Sequence, residues 1–336
     1  MNKKALCILT VLLVLLFALG GCGNQTAPAA PSPAPATPGD TTQQAGDAAI
    51  NFPTRNISFI VPWAAGGSSD IAVRYKADLL SEQLGVTTSV VNREGAGGTI
   101  ALTEAVNSDP TGYEITFFAS GVFTSQPHVR EVHYSLDDFH VINGLTLEPI
   151  VMVASAQSGI SSLDDLLATD RPVSFGFSGA GSLIEMSQRA MFGMAGMDNV
   201  DGVPFDGGAP TITALLGGHI DLGAAHPFEI EQHIQNGDLI PIGLFSPERD
   251  DRYPNIPTFL EQGFDIDIGV WKGFVVPIDK PDEIVQFLYE AMREMVASER
   301  FVSFAAANHL IIDVIGPQQA KARLQAEFEV NRALFE

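Results

Sequence analysis

Short apolar runs alternate along this chain with longer amphipathic stretches. Ile57-Ser58-Phe59-Ile60-Val61 is a strand-like run. After it, Ile71, Tyr75, Leu79 and Leu84 recur at helical spacing, and Gly85 suits the helix stop. Further strand-like runs are Ser89-Val90-Val91, Ile115-Thr116-Phe117-Phe118, Ile150-Val151-Met152-Val153 and Val173-Ser174-Phe175-Gly176-Phe177. Ser162 ahead of Asp164 and Asp165 reads as a helix start, with carboxylates at the positive helix end. Leu183 to Met194 reads as a helix, followed by strands at Ile220-Asp221-Leu222-Gly223 and Leu239 to Phe245. Pro281 opens an amphipathic helix carrying Ile284, Phe287, Leu288, Ala291, Met292 and Met295 on one stripe. This repeated alternation predicts an α/β architecture with mainly parallel sheets.

The pattern breaks at the N-terminus. Lys3 and Lys4 precede an apolar stretch from Ala5 to Leu19, short of the roughly 20 residues a membrane span needs. It ends in Leu19-Gly20-Gly21-Cys22, which resembles a bacterial lipobox. Residues 1–21 are therefore expected to be a lipoprotein signal peptide, with Cys22 as the lipidated first residue of the mature chain. From there to residue 53 the composition turns to Ala, Pro, Thr, Gln and Gly. Such a segment buries too little to offset its chain entropy and reads as a disordered tether.

Composition narrows the function. The 336 residues carry 18 Lys+Arg against 40 Asp+Glu, a net charge of −22. That field repels nucleic-acid phosphates. It leaves room for a small anion, which a pocket of backbone N–H groups can hold. Cleavage before Cys22 would remove Lys3, Lys4 and Cys7 and leave a single cysteine. The body can then have no intramolecular disulfide.

The candidate chemistry sits in glycine-rich loops between strand and helix. The first is Pro62-Trp63-Ala64-Ala65-Gly66-Gly67-Ser68-Ser69-Asp70. Its glycines permit close backbone approach, and its serines can cap the following helix. The second, Ser178-Gly179-Ala180-Gly181-Ser182, repeats the device far along the chain. Two anion-friendly helix starts in different halves suggest a ligand gripped between two lobes. Gly207-Gly208 could line the same cleft, whereas Gly95-Ala96-Gly97-Gly98-Thr99 reads as a structural turn.

Taken in order, these segments resemble the substrate-binding receptors of the tripartite tricarboxylate transporter family, the TctC/Bug-type extracytoplasmic solute receptors. The resemblance rests on the first loop, on Val91 to Thr99, on Asp109-Pro110-Thr111-Gly112-Tyr113 and on Gly179 to Ser182. It continues through Val203-Pro204-Phe205-Asp206-Gly207-Gly208, Leu216-Gly217-Gly218-His219-Ile220-Asp221 and Tyr253 to Gly263. It implies a two-lobed periplasmic-binding-protein fold of the type II, Venus-flytrap kind, hinged between lobes and without catalysis. Lobe one would span 54–155 plus 276–336, and lobe two 156–275, with crossings near Ser155 and Val276. It implies ligand contacts from Trp63, Ala64, Gly66, Gly67, Ser68, Ser69 and Asp70 in lobe one. In lobe two the contacts would come from Ser178, Gly179, Gly181, Ser182, Phe205 and Asp206. Asp70 would orient its loop rather than touch an anion, and Ser120 and Gly121 follow a strand toward the cleft. The implied partners are a small organic anion, the membrane subunits of such a transporter, and the membrane itself through the lipid. No cofactor or metal is implied, and the location is extracytoplasmic.

The chain departs from the family in places. Trp63 replaces a smaller ring, and Phe205-Asp206 replaces a Tyr-Lys-type pair, which argues against a highly charged ligand. His226 stands where it could reach the pocket. Two enzyme-like readings compete. Gly176-Phe177-Ser178-Gly179-Ala180 is one residue from the G-x-S-x-G nucleophile elbow, with Asp221 and His226 as triad partners for an exported serine hydrolase. His226, Glu229 and His233 could share a helix face as metal ligands. No nucleotide-binding glycine motif is present.

Overall fold

The computed structural model describes residues 50–109 and 111–332. The expected signal peptide, Cys22 and nearly all of the tether lie outside the described residues.

The first third of the body begins one sheet. β1 (Ile57–Val61), β2 (Thr88–Asn92), β3 (Glu114–Ala119) and β4 (Phe139–Glu148) follow in order. α1 (Ser68–Leu84), α2 (Thr99–Val106) and the short turns α3 (Gly121–Thr124) and α4 (Gln126–Val129) lie between them. The chain then builds a second sheet from β5 (Val151–Ser155), β6 (Val173–Phe177), β7 (Val200–Pro204), β8 (Leu222–Ala225) and β9 (Leu239–Leu244). Its helices are α5 (Leu163–Leu167), α6 (Leu183–Met194), α7 (Gly208–Leu216) and α8 (Pro227–Asn236). β10 (Val270–Pro277) returns to the first sheet, followed by α9 (Asp282–Ala297), α10 (Glu299–Ala307), β11 (Ile311–Ile315) and α11 (Pro317–Arg332).

The strand orders are β11-β4-β10-β3-β1-β2 and β7-β6-β8-β5-β9. Each sheet carries apolar side chains on both faces and is covered on both. In the first lobe α1, α9 and α10 cover one face, and α2 and α11 the other. In the second, α5 and α6 lie opposite α7 and α8. The two-lobed α/β fold stands.

Three expectations change. The sheets are mixed rather than mainly parallel: β10 runs antiparallel to β3 and β4, and β5 antiparallel to β8 and β9. β5 and β10 are the strands that follow a crossing from the other lobe, and each runs against the parallel βαβ strands of its sheet. The crossings also move. Ser155 lies in a strand of the second sheet rather than in lobe one, and residues 270–275, expected in lobe two, lie with Val276 in the first sheet, because β5 belongs to the second sheet and β10 to the first. The chain crosses at Pro149-Ile150 and again between Leu244 and Val270. Finally, the buried face of α1 runs through Ala72, Val73, Lys76, Ala77 and Leu80, while Ile71 is exposed. Leu79 is buried with them and Tyr75 and Leu84 pack against the same core, so of the expected stripe only Ile71 turns to solvent.

Candidate functional site

The two glycine loops are built alike. α1 begins at Ser68, and Asp70 in its first turn folds back to accept the Gly66 N–H at 2.9 Å. Arg74, one turn on, pairs with the same carboxylate at 2.8 Å. α6 begins at Leu183, and Glu185 accepts the Gly181 N–H at 2.6 Å while pairing with Arg189 at 2.6 Å. Gly66 and Gly181 have φ of +85° and +79°, a backbone region in which side chains with a Cβ are strained. The shared spacing is Gly, an acid four residues later, and an arginine four after that. The acid satisfies loop N–H groups and complements the helix dipole. Asp70 is almost fully buried. Burial works against its ionisation. The bonds from Arg74, Gly66 and Asn92 prevail, and hold its carboxyl below the usual aspartate range. Asp70 thus orients its loop.

Between the loops lies a cavity enclosing about 580 Å³, part of it open to solvent. Trp63, Ala64, Gly67, Ser68 and Ser69 line it from the first lobe, and Ser178 and Ser182 from the second. The other expected residues stand back from it. Gly66, Asp70, Gly179 and Gly181 shape the loops behind the wall. Ser120 is fully buried with its hydroxyl unpartnered, and the neighbouring Gly121 lines the cavity instead. Phe205 packs with the apolar cluster over the second sheet. The Asp206 side chain is exposed, and only its carbonyl reaches the other lobe.

The cavity also holds residues that no loop motif marks. Lys272, on β10, is buried and donates to Ser68 Oγ at 3.1 Å, Ser69 Oγ at 3.3 Å and Glu148 Oε2 at 2.7 Å. Burial opposes ionisation of Glu148, yet Lys272, His226 and Lys76 together hold its carboxyl below the usual glutamate range. His226 does line the cavity. Its desolvation and the adjacent Lys272 cation push it below the usual histidine range, outweighing the pull of Glu148. Gln126, from α4, Gly97, Gly208 and Glu229 also line it, so Gly208 of the expected glycine pair does face the cavity. Gly97 belongs to the turn read as structural, and that reading is corrected here. An eight-residue strand buried on both faces shows no polar alternation. For that reason β10 and its Lys272 escape a pattern search.

The lobes touch around this cavity. Ala64 N–H donates to Asp206 O at 2.9 Å. Gln126 Nε2 donates to Ala180 O at 2.8 Å, and Ser125 Oγ to Gly181 O at 2.7 Å. A Cβ on Gly179 would lie 2.4 Å from the Gly97 Cα. Glu229 Oε1 accepts from Ser68 N at 2.8 Å.

The catalytic alternative does not assemble. Asp221 is held by Arg171 and Ser174, and the His226 ring nitrogens face Pro149 O at 3.0 Å and Glu148 at 3.7 Å. Nor do the proposed metal ligands converge: Glu229 accepts backbone N–H groups, and His233 lies 3.9 Å from Asp238.

Comparison with known proteins follows the same lines. A family model described as tripartite tricarboxylate transporter family receptor matches residues 72–334. A protein from the ttuE-ttuC' intergenic region of Agrobacterium vitis is 28% identical over 289 residues, spanning 83% of each chain. Protein BugT of Bordetella pertussis is 26% identical over 289 residues, covering 84% of this chain and 88% of its own. Among solved structures, the periplasmic binding protein BugD superposes with a TM-score of 0.77 at 25% identity, over 84% of this chain and 97% of BugD. MatC from Rhodopseudomonas palustris, solved with bound malate, has a TM-score of 0.80 at 23% identity, over 85% of this chain and all of MatC.

Proposed function

Because the chain belongs to the tripartite tricarboxylate transporter family of receptors, solute-binding proteins rather than enzymes, we propose that it captures a small organic anion, most simply a carboxylate, between its lobes. The observation that carries this reading is the paired loop. Two helix starts, one per lobe, face one cavity with serine hydroxyls at each. The positive ends of α1 and α6 favour negative charge there, and the buried Lys272 cation adds to it. Solved relatives of the same fold carry malate or adipate, which supports the class of solute.

The mechanism is hinge closure about the two crossings. A solute touching both lobes binds the closed form better and shifts the balance toward it. The closed form is then the one offered to the membrane subunits of a tripartite tricarboxylate-type transporter. The lipobox ending at Cys22 supports an extracytoplasmic receptor held at the membrane by lipid.

Thermal shift across a panel of mono-, di- and tricarboxylates, aromatic acids and amino acids tests the ligand class. A binder of the native state raises the melting temperature with its concentration and is recovered unchanged. No shift with any acid, and no acid in an extract of the denatured protein, would refute the reading. For the anchor, Cys22→Ser is expected to move the protein from the membrane to the soluble fraction. Persistent sedimentation with membranes would refute lipidation at this residue.

A further inference from the structure

The anion seat at the start of α1 is already filled from within. Glu229 lies in the first turn of α8, in the second lobe. Its Oε1 accepts the Ser68 N–H of the first lobe at 2.8 Å, across 161 residues of sequence. Its Oε2 accepts the His226 N–H at 3.2 Å, closing the turn on its own side. Glycines clear its path: a Cβ on Gly208 would lie 2.1 Å from Oε1, and one on Gly67 3.3 Å from the same atom. Among the described residues no lysine or arginine makes a salt bridge to Glu229. Lys272, the cation of the cavity, is committed to Glu148, Ser68 and Ser69. The Glu229 carboxylate therefore takes from the first lobe what a solute carboxylate would take: a backbone N–H at a helix start, beside serine hydroxyls.

We propose that Glu229 is a tethered competitor. It occupies the carboxylate seat of the empty receptor, draws the lobes together without solute, and must be displaced when a solute carboxylate arrives. This rests on the reading of the cavity as a carboxylate site, and it assigns Glu229 the setting of affinity there. A latch of this kind has a definite sign. In the solute-bound form the contact to Ser68 has been given up, so removing Glu229 weakens only the empty closed form. It also takes a negative charge away from the incoming anion. Loss of a contact elsewhere on the seam acts oppositely, because that contact survives in the bound form. His309 Nε2 and Glu231 Oε2, 2.7 Å apart, form such a contact.

The test uses the full chain and two readouts. In small-angle scattering without solute, Glu229→Ala is expected to show a larger radius of gyration than the unaltered protein. An unchanged radius overturns the latch. In calorimetric titration with malate and with adipate, Glu229→Ala is expected to bind about tenfold more tightly, the scale of one charge-assisted hydrogen bond. Glu229→Gln keeps the side chain's size and one acceptor, and is expected to move the same way by less. Glu231→Ala is expected to open the empty form yet weaken binding. Equal or weaker binding by Glu229→Ala overturns the competitor role and makes Glu229 a solute contact, as an ammonium-bearing solute would require. If neither acid binds any variant, the carboxylate class fails while the scattering still decides the latch.

Discussion

Lys76 has no hydrogen-bond partner at its ammonium. It sits fully buried on α1, with the rings of Phe117, Phe274 and Phe301 at 5.4, 6.0 and 5.7 Å. Burial, and the Lys272 cation behind it, outweigh the attraction of Glu148 and bring its pKa down to about 8. The rings and Glu148 offset only part of its desolvation. Lys76→Met is therefore expected to raise stability by about 1–3 kcal/mol at pH 7. The sign with pH follows from linkage. Between pH 8 and the ordinary value of 10.5 the unfolded chain binds the proton and the fold does not. Wild-type stability rises across that window, and the advantage of Lys76→Met shrinks. Urea melts at pH 7 and pH 10 measure both, and an advantage that does not change with pH would contradict the assignment.

At the scale of elements, the Gly, acid, arginine spacing holds each loop against its helix. Asp70 receives bonds from Gly66, Arg74 and Asn92, and so ties α1, its loop and β2 together. Asp70→Ala is expected to destabilise the protein by about 1–3 kcal/mol at neutral pH, since it strands partners that are part-buried. The native Asp70 pKa is depressed, so this contribution is full above the unfolded value of 3.8 and is lost as pH falls through the lower folded value. Chemical denaturation at pH 7 and pH 3 measures it. The loop-orienting role of Asp70 was foreseen from the family resemblance; the repeated spacing was not, although i, i+4 neighbours on a helix need no tertiary information to be found. Nor was the exposure of Ile71 on α1, because the angle at which a helix face meets its sheet is set by tertiary packing.

At the scale of the whole molecule, closure depends on backbone meeting backbone. Gly97 and Gly179 approach so nearly that a side chain on Gly179 would hold the lobes apart. Gly179→Val is expected to enlarge the radius of gyration and to abolish carboxylate binding. Valine at φ of +99° also carries backbone strain, on the order of 1 kcal/mol or more. Gly159→Val separates the two effects. Gly159 has φ of +79° in the same lobe and nothing within 4 Å of its Cβ position. It is expected to lose comparable stability and keep a compact empty form and normal binding. Scattering and titration on the pair check this, and matching behaviour of the two variants would refute the closure role.

What the sequence by itself determined is what depends on neighbours along the chain. Many of the strands and helices, the glycine loops between them, and the ordered motifs of the receptor family all follow from local spacing. What only the tertiary structure decided is what depends on distant segments meeting. β10 arrives from the other lobe and sets Lys272 beneath Ser68 and Ser69. The crossings fall at Pro149-Ile150 and after Leu244 because strand pairing, not hydrophobic pattern, assigns β5 and β10 to their sheets. Glu229 reaches Ser68 only once two lobes have closed. Contacts of this range carry no periodic signal, since each partner could satisfy its local pattern equally well alone.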